Sequence, residues 1–285
     1  MKPVAFEYER PADIRSALAL IGRNGPITKI LAGGQSLGPM LNLRLVRPEL
    51  VVDITRIPQL KSVEQSADAI TVGACVTHAD IEDGRVPDVT QGALPSVARN
   101  IAYRAVRNRG TLGGSLAHAD PAADWVSALA AIGAVALIAS STGQRAIAVE
   151  DLMSGVFETV LGQAEILEAI RIPRLSVRAR WGYYKISRKT GEFAHAIGAV
   201  LDDPERGVCR AVIGAIEAKP IVLADARPLF RNRVGADLEA SFDMEVAEDL
   251  LRSAGLADPV VRQIHLAALR RAATKASHGH RLHHH

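Results

Sequence analysis

The spacing of apolar positions divides the 285 residues into three textures. Up to about residue 55, short apolar runs alternate with helical periodicity. Strands are predicted at Val4–Tyr8, Thr28–Leu31 and Leu50–Ile54. A helix is predicted at Asp13–Ile21, entered through Pro11, with one or two helical turns at Leu37–Leu43. From about Ile57 to Pro173, strands are expected at Ala69–Val72, Val135–Ala139, Ile147–Val149 and the alternating Glu165–Ile172. Helices there are Thr77–Ile81 with Thr77 as N-cap, Leu94–Arg104 and Ala122–Ile132. Pro173–Arg180, polar and arginine-rich, reads as a linker. Three strand-like runs follow, Trp181–Ile186, Ala194–Leu201 and Val208–Ala215, the last two joined by the turn Asp202–Gly207. Helices at Met244–Ala254 and Val260–Thr274 close the pattern. The predicted class is α+β: a small α/β unit, an α+β unit, then a C-terminal domain with a three-stranded antiparallel sheet and helices.

Composition narrows the function classes. Only 4% of residues are aromatic and the net charge is +3, without a block of like charges. A stacking platform for nucleic acid needs exposed aromatics among basic residues, so no nucleic-acid partner is expected. Cys75 and Cys209 have no CxxC partner. An iron–sulfur cluster takes four protein ligands, so this chain alone holds no conventional one. Few cysteines and a charged opening segment, MKPVAFEYERPADI, point to a cytoplasmic protein. The longest apolar stretch, Val126–Ala139, is interrupted by Gly133 and too short to span a bilayer. The terminal 279–285 reads as a tag remnant or tail.

The candidate chemistry sits in two glycine-centred segments about eighty residues apart, Ala32–Met40 (AGGQSLGPM) and Arg109–Asp124 (RGTLGGSLAHADPAAD). Glycine lets a ligand approach the backbone, and N–H groups fanned out by a turn make an anion-binding concavity. Two such segments suit an extended, doubly phosphorylated ligand. The GxGxxG spacing of a nicotinamide fold is absent. His118, Asp120 and Asp124 together admit a metal site, but His-x-Asp-Pro ahead of a helix is also ordinary turn chemistry. His78 and His195 stand alone and read as structural.

These segments, with YYKISRKTGEFAHAIGAV at Tyr183–Val200 and VVRQIHLAALRRA near the end, resemble in order the flavin-binding medium subunit of the molybdenum hydroxylases. That family includes carbon monoxide dehydrogenase and xanthine dehydrogenase-type enzymes. The resemblance implies FAD on a PCMH-type domain over residues 1–175, with subdomains of about 1–55 and 56–175, and a C-terminal domain over 178–278. It places the pyrophosphate on the first segment (Ala32, Gly33, Gly34, Gln35, Ser36, Leu37) and on the second (Gly110, Thr111, Gly113, Gly114, Ser115). The hydroxyls of Ser36, Thr111 and Ser115 can add contacts.

By the same resemblance Asp124 meets the adenosine part, although it is also a plain first-turn helix acid. Lys185 lies near the flavin pyrimidine edge, where a cation would raise the potential; otherwise it is a solvated strand lysine. Leu167 offers a backbone contact to flavin or is a core leucine, and Ile101 and Ala102 lie near the adenine. The chain departs from family habit at Gln35 (often His), Ser115 (often Asn) and Phe193 (Tyr in some members).

The implied function is an electron-transfer flavoprotein subunit. Its partners would be an iron–sulfur small subunit and a molybdenum-cofactor large subunit, in a heterotrimer that dimerises. Two other readings remain: a self-sufficient FAD oxidoreductase of the UDP-N-acetylenolpyruvoylglucosamine reductase type, and a non-catalytic phosphate-binding module.

Overall fold

A computed structural model describes residues 2–23, 25–233 and 237–278; the expected tail 279–285 lies outside the described residues. The N-terminal unit contains strands β1 (Glu7–Glu9), β2 (Thr28–Leu31) and β3 (Leu50–Asp53) and helices α1 (Ile14–Ile21) and α2 (Leu37–Asn42). The strands pair in parallel in the order β1-β3-β2. Central β3 is buried at every position, as its unbroken apolar reading requires. Asp13 caps α1 by accepting the Ser16 N–H at 2.7 Å. β1 begins three residues later than predicted because its ladder is set by β3, with Glu7 opposite Leu50.

A five-stranded antiparallel sheet comes next, in the order β4-β5-β10-β6-β7. Its strands are β4 (Val63–Gln65), β5 (Ala69–Gly73), β6 (Val135–Ser140), β7 (Gly143–Ala148) and β10 (Glu165–Pro173); β8 (Met153–Gly155) and β9 (Glu158–Thr159) form a separate ribbon. The helices are α3 (His78–Glu82), α4 (Ala93–Arg99), α5 (Arg104–Arg107), α6 (Leu112–His118) and α7 (Asp124–Ile132). Thr77 and Asp80 close α3 with a reciprocal capping box. The helix predicted over Leu94–Arg104 is two: α4 stops at Arg99, and Ala102 takes a left-handed φ of 43° before α5 starts. Tertiary hydrogen bonds to the carbonyls of residues 100–102 override the local helical signal.

The last sheet runs β11 (Arg180–Ile186), β12 (Ala196–Asp203), β13 (Val208–Gly214) and β14 (Ile221–Leu223), antiparallel throughout. The expected sheet thus gains a fourth, three-residue strand, too short for a periodic signal. Helices α8 (Leu238–Ser241), α9 (Met244–Ser253) and α10 (Pro259–His278) follow. Alternate residues of β12 enter different cores: Ile197, Ala199 and Leu201 join α7, while Val200 joins α10. The sheet is therefore covered on both faces, and α7 belongs to both halves of the molecule. No described helix is long and apolar enough to cross a membrane.

Helix α10 lies against β11 and β12 at Gly182 and Gly198. A β-carbon at Gly198 would stand 2.5 Å from the Ala268 carbonyl oxygen, and one at Gly182 would stand 1.8 Å from that of Ala272. Gly198→Val should therefore destabilise the chain by about 1–3 kcal/mol through overpacking, measured as a fall in urea midpoint at unchanged m. An unaltered midpoint would mean that α10 is free to move off the sheet.

Candidate functional site

A cleft of about 610 Å³ opens where the carboxyl end of β2, the turn at 101–103, the start of α6 and strand β10 converge. Every residue assigned to the cofactor from the sequence lines it except Lys185. Parallel α/β units present ligands at the carboxyl ends of their strands, and the first glycine segment leaves β2 there.

That segment is an open turn. Gly34 has a φ of 72°, a conformation that glycine adopts without steric cost. A β-carbon on Gly33 would fall 2.1 Å from the Arg109 carbonyl oxygen and 2.8 Å from Gly110 Cα, so the two glycine segments lie backbone to backbone. The Gln35 side-chain amide donates to the Gly33 carbonyl at 3.1 Å and braces the turn. The backbone N–H groups of Gly33, Gly34, Gln35 and Ser36 find no acceptor among the described residues. Four consecutive amides left in this way form a cradle for an anion.

The second segment differs from the expectation of an open loop. It winds into α6, and its amides are spent. Leu112 donates to Val76 O at 3.0 Å, Gly113 to Ala74 O at 2.9 Å, and Ser115 to Thr111 O at 3.0 Å. The Thr111 hydroxyl accepts the Gly114 N–H at 3.1 Å as N-cap. Its glycines serve close chain-to-chain approach. A β-carbon would meet Ala74 Cβ at 2.4 Å from Gly113 and the Thr111 hydroxyl at 2.6 Å from Gly114. What this segment offers the cleft is the Ser115 hydroxyl, which, like that of Ser36, has no partner among the described residues.

Asp124 opens α7 and lines the cleft at only 7% exposure. Its carboxylate accepts the Tyr183 hydroxyl at 2.7 Å and faces the Lys185 ammonium at 3.0 Å. Burial pushes its pKa up, and Lys185 opposes the shift. Lys185 also donates to Asn100 O at 2.9 Å. Its charge is thus committed behind the wall of the cleft. This corrects the sequence-based placement beside the flavin ring: the lysine reaches the cleft only through Asp124 and the 100–102 turn. Leu167 sits where the β10–β6 register shifts, and such a bulge re-aims local backbone into the cleft. Asp120 accepts the Ala122 N–H at 2.9 Å in a local turn, which is the plainer of its two readings.

The family of FAD binding domains in molybdopterin dehydrogenases matches residues 4–175. The chain belongs to that family. It is 33% identical to caffeine dehydrogenase subunit beta of Pseudomonas sp. (strain CBB1) over 98% of both chains. Among solved structures it is similar to a chain of quinoline 2-oxidoreductase from Pseudomonas putida 86, with 33% identity, a TM-score of 0.83 and coverage of 98% and 99%. It also resembles a chain of reconstituted CO dehydrogenase from Oligotropha carboxidovorans, with 27% identity, a TM-score of 0.87 and coverage of 98% and 100%. The protein is a flavoprotein oxidoreductase subunit, and FAD is its cofactor. The residues present fit a dinucleotide: a cradle of unspent amides adjoins an elongated cleft.

Sequence reasoning underrated two members of this molybdopterin-dehydrogenase flavin site. Tyr183, the hydroxyl partner of Asp124, carried no signal beyond strand periodicity. His78 was read as a structural residue, and its 4% exposure agrees, yet it lines the cleft behind Gly110. Its Nδ1 accepts the Trp125 indole N–H at 3.0 Å, so the neutral ring carries its proton on Nε2. Burial and the nearby Arg107 push its pKa down from 6.5 to about 4.

Two predictions follow from these buried groups. Lys185→Met, which strands the Asp124 carboxylate, should cost about 3–5 kcal/mol in urea unfolding of the FAD-free chain. Adding Asp124→Asn should recover most of that loss; additive losses would mean that the pair is not coupled. For His78, the unfolded chain takes up a proton as pH drops from 6.5 to about 4 while the folded chain does not. Stability attributable to it should therefore be lost across that window, by roughly 3 kcal/mol in total. Subtracting the pH–stability curve of His78→Gln from that of the parent should isolate the slope. A flat difference would place the ring in contact with solvent.

Proposed function

We propose that this chain is the electron-transfer subunit of a molybdenum hydroxylase complex, taking electrons from [2Fe–2S] clusters in a small subunit and passing them to an external acceptor. The observation that carries the reading is the match to caffeine dehydrogenase subunit beta along 98% of both chains. That name belongs to one subunit of a dehydrogenase, and carbon monoxide dehydrogenase medium chain is the name of another relative, 35% identical over 70% of each chain. On this reading substrate oxidation belongs to a molybdenum-binding large chain. The assembly is a heterotrimer that dimerises, and the flavin domain spans residues 1–175 with a docking domain at 178–278.

The amides of Gly33–Ser36 would hold the pyrophosphate, with the hydroxyls of Ser36 and Ser115 beside them. Asp124, kept ionised by Lys185, would accept hydrogen bonds from ribose hydroxyls. Ile101 and Ala102 would flank the adenine, and the backbone at Leu167 would meet the flavin. Bound FAD supplies the coupling between one-electron donors and two-electron acceptors. The titratable groups lining the cleft fit that limited task. His78 is neutral, Asp124 is paired, and the His118 pKa is pushed down by burial, so none stands ready as a proton donor at neutral pH.

The purified chain should bleach with dithionite but not with heterocycles, aldehydes or carbon monoxide, until iron–sulfur and molybdenum chains are added. Rapid substrate-driven bleaching by the chain alone would instead support the self-sufficient oxidoreductase. Gly34→Val, forced to adopt a φ of 72°, should weaken FAD binding at least tenfold by fluorescence titration. Unchanged affinity would move the pyrophosphate away from the first turn.

A further inference from the structure

Three consecutive carbonyls at the rim of the cleft are each held by a cation. Lys185 Nζ donates to Asn100 O at 2.9 Å. Arg107 Nη1 donates to both Ile101 O at 3.0 Å and Ala102 O at 3.1 Å. The remaining guanidinium edge grips Glu82, Nε to Oε2 at 2.7 Å and Nη2 to Oε1 at 3.0 Å. Arg107 and Glu82 side chains are only 11% and 12% exposed, so this fork is shielded from competing water. Between the two cations Ala102 is held at a φ of 43°, a conformation alanine adopts only under constraint. Ile101 and Ala102 both line the cleft, and so does Val106 beside Arg107. Gly191, also on the rim, packs against this turn, with a β-carbon there falling 3.0 Å from Ala102 O.

We propose that Arg107 is a positioning residue for FAD, holding the 100–102 turn in its left-handed form so that the rim of the cleft is shaped before the cofactor arrives. The inference rests on the cleft being the FAD site. Arg107 touches no part of the cofactor in this scheme; it acts through two carbonyls that a shorter or neutral side chain cannot reach together. Without it, Ala102 relaxes to an ordinary φ, the rim moves, and FAD must spend binding energy to rebuild the turn. The dependence is therefore on Ala102 being alanine. Glycine at that position adopts the same φ without constraint.

The test uses the full chain stripped of FAD and titrated with FAD by flavin fluorescence. Arg107→Met should raise Kd at least tenfold, with Arg107→Lys intermediate at about threefold to tenfold. Adding Ala102→Gly to either variant should return Kd to within about threefold of the Ala102→Gly single variant. A residue that merely props the fold would show no such rescue. If Arg107→Met loses its helical circular dichroism, Arg107→Lys with and without Ala102→Gly decides the matter. Affinity unchanged in the arginine variants, or a loss that glycine fails to rescue, overturns the proposal. Gly34→Val in parallel separates the two readings. If it weakens FAD while Arg107→Met does not, the site stands and the positioning role falls; if neither has any effect, the cleft is not the FAD site.

Discussion

A carboxylate at the floor of a nearly dry wall must be neutralised or it will not stay ionised, and the buried Asp124–Lys185 pair answers that constraint. Helix α7 is buried at all nine of its positions, so Asp124 cannot turn to water for help. Its cation and its hydroxyl donor come from β11, outside the stretch matched by the flavin-domain family. The wall of the cleft is thus finished by the C-terminal sheet. The same lysine reaches on to Asn100, which ties the turn on one side of the cleft to the helix on the other. Docking of the last sheet and shaping of the site are one event.

The paired glycines impose the second constraint, and it acts between stretches of chain. Gly33 rests on Arg109–Gly110, Gly113 on Ala74, and Gly110 on the His78 ring. These contacts stack the two glycine segments so that the amides of the first are left facing open space while those of the second are consumed by the fold. A pair of similar-looking motifs therefore does two jobs. One presents donors; the other supplies the rigid backing against which they are presented.

Much of this was legible along the chain because its signals are local. The capping residues Asp13 and Thr77, the glycine pairs and the alternation of β10 each announce themselves within a few residues. The family resemblance rested on those same stretches. What was misread depends on distant partners. Helicity through Arg104 is a sound local inference, undone by Lys185 from 85 positions away and by the Arg107 fork. Lys185 carries no mark in its own strand that Asp124 will claim it. The second glycine segment looks like a loop until Ala74 and Val76 supply the acceptors that let it coil. Local chemistry writes the elements, and long-range polar contacts decide which groups remain free to bind.

Those free groups determine how the site meets charge. Among the described residues lining the cleft, Lys29 is the single lysine or arginine. A diphosphate entering it is met chiefly by peptide dipoles rather than by guanidinium or ammonium groups. Dipoles reward position steeply and tolerate little displacement, so the amides must already be aimed when the ligand arrives. The surrounding architecture supplies that aim: a backbone turn braced by Gln35, backed by Gly110, and bounded across the cleft by a rim whose carbonyls are all tied down. A site built from fixed dipoles with its titratable groups neutral or paired changes little when an electron enters or leaves. That constancy suits a subunit whose task is to hold a redox group still while other chains carry out the chemistry.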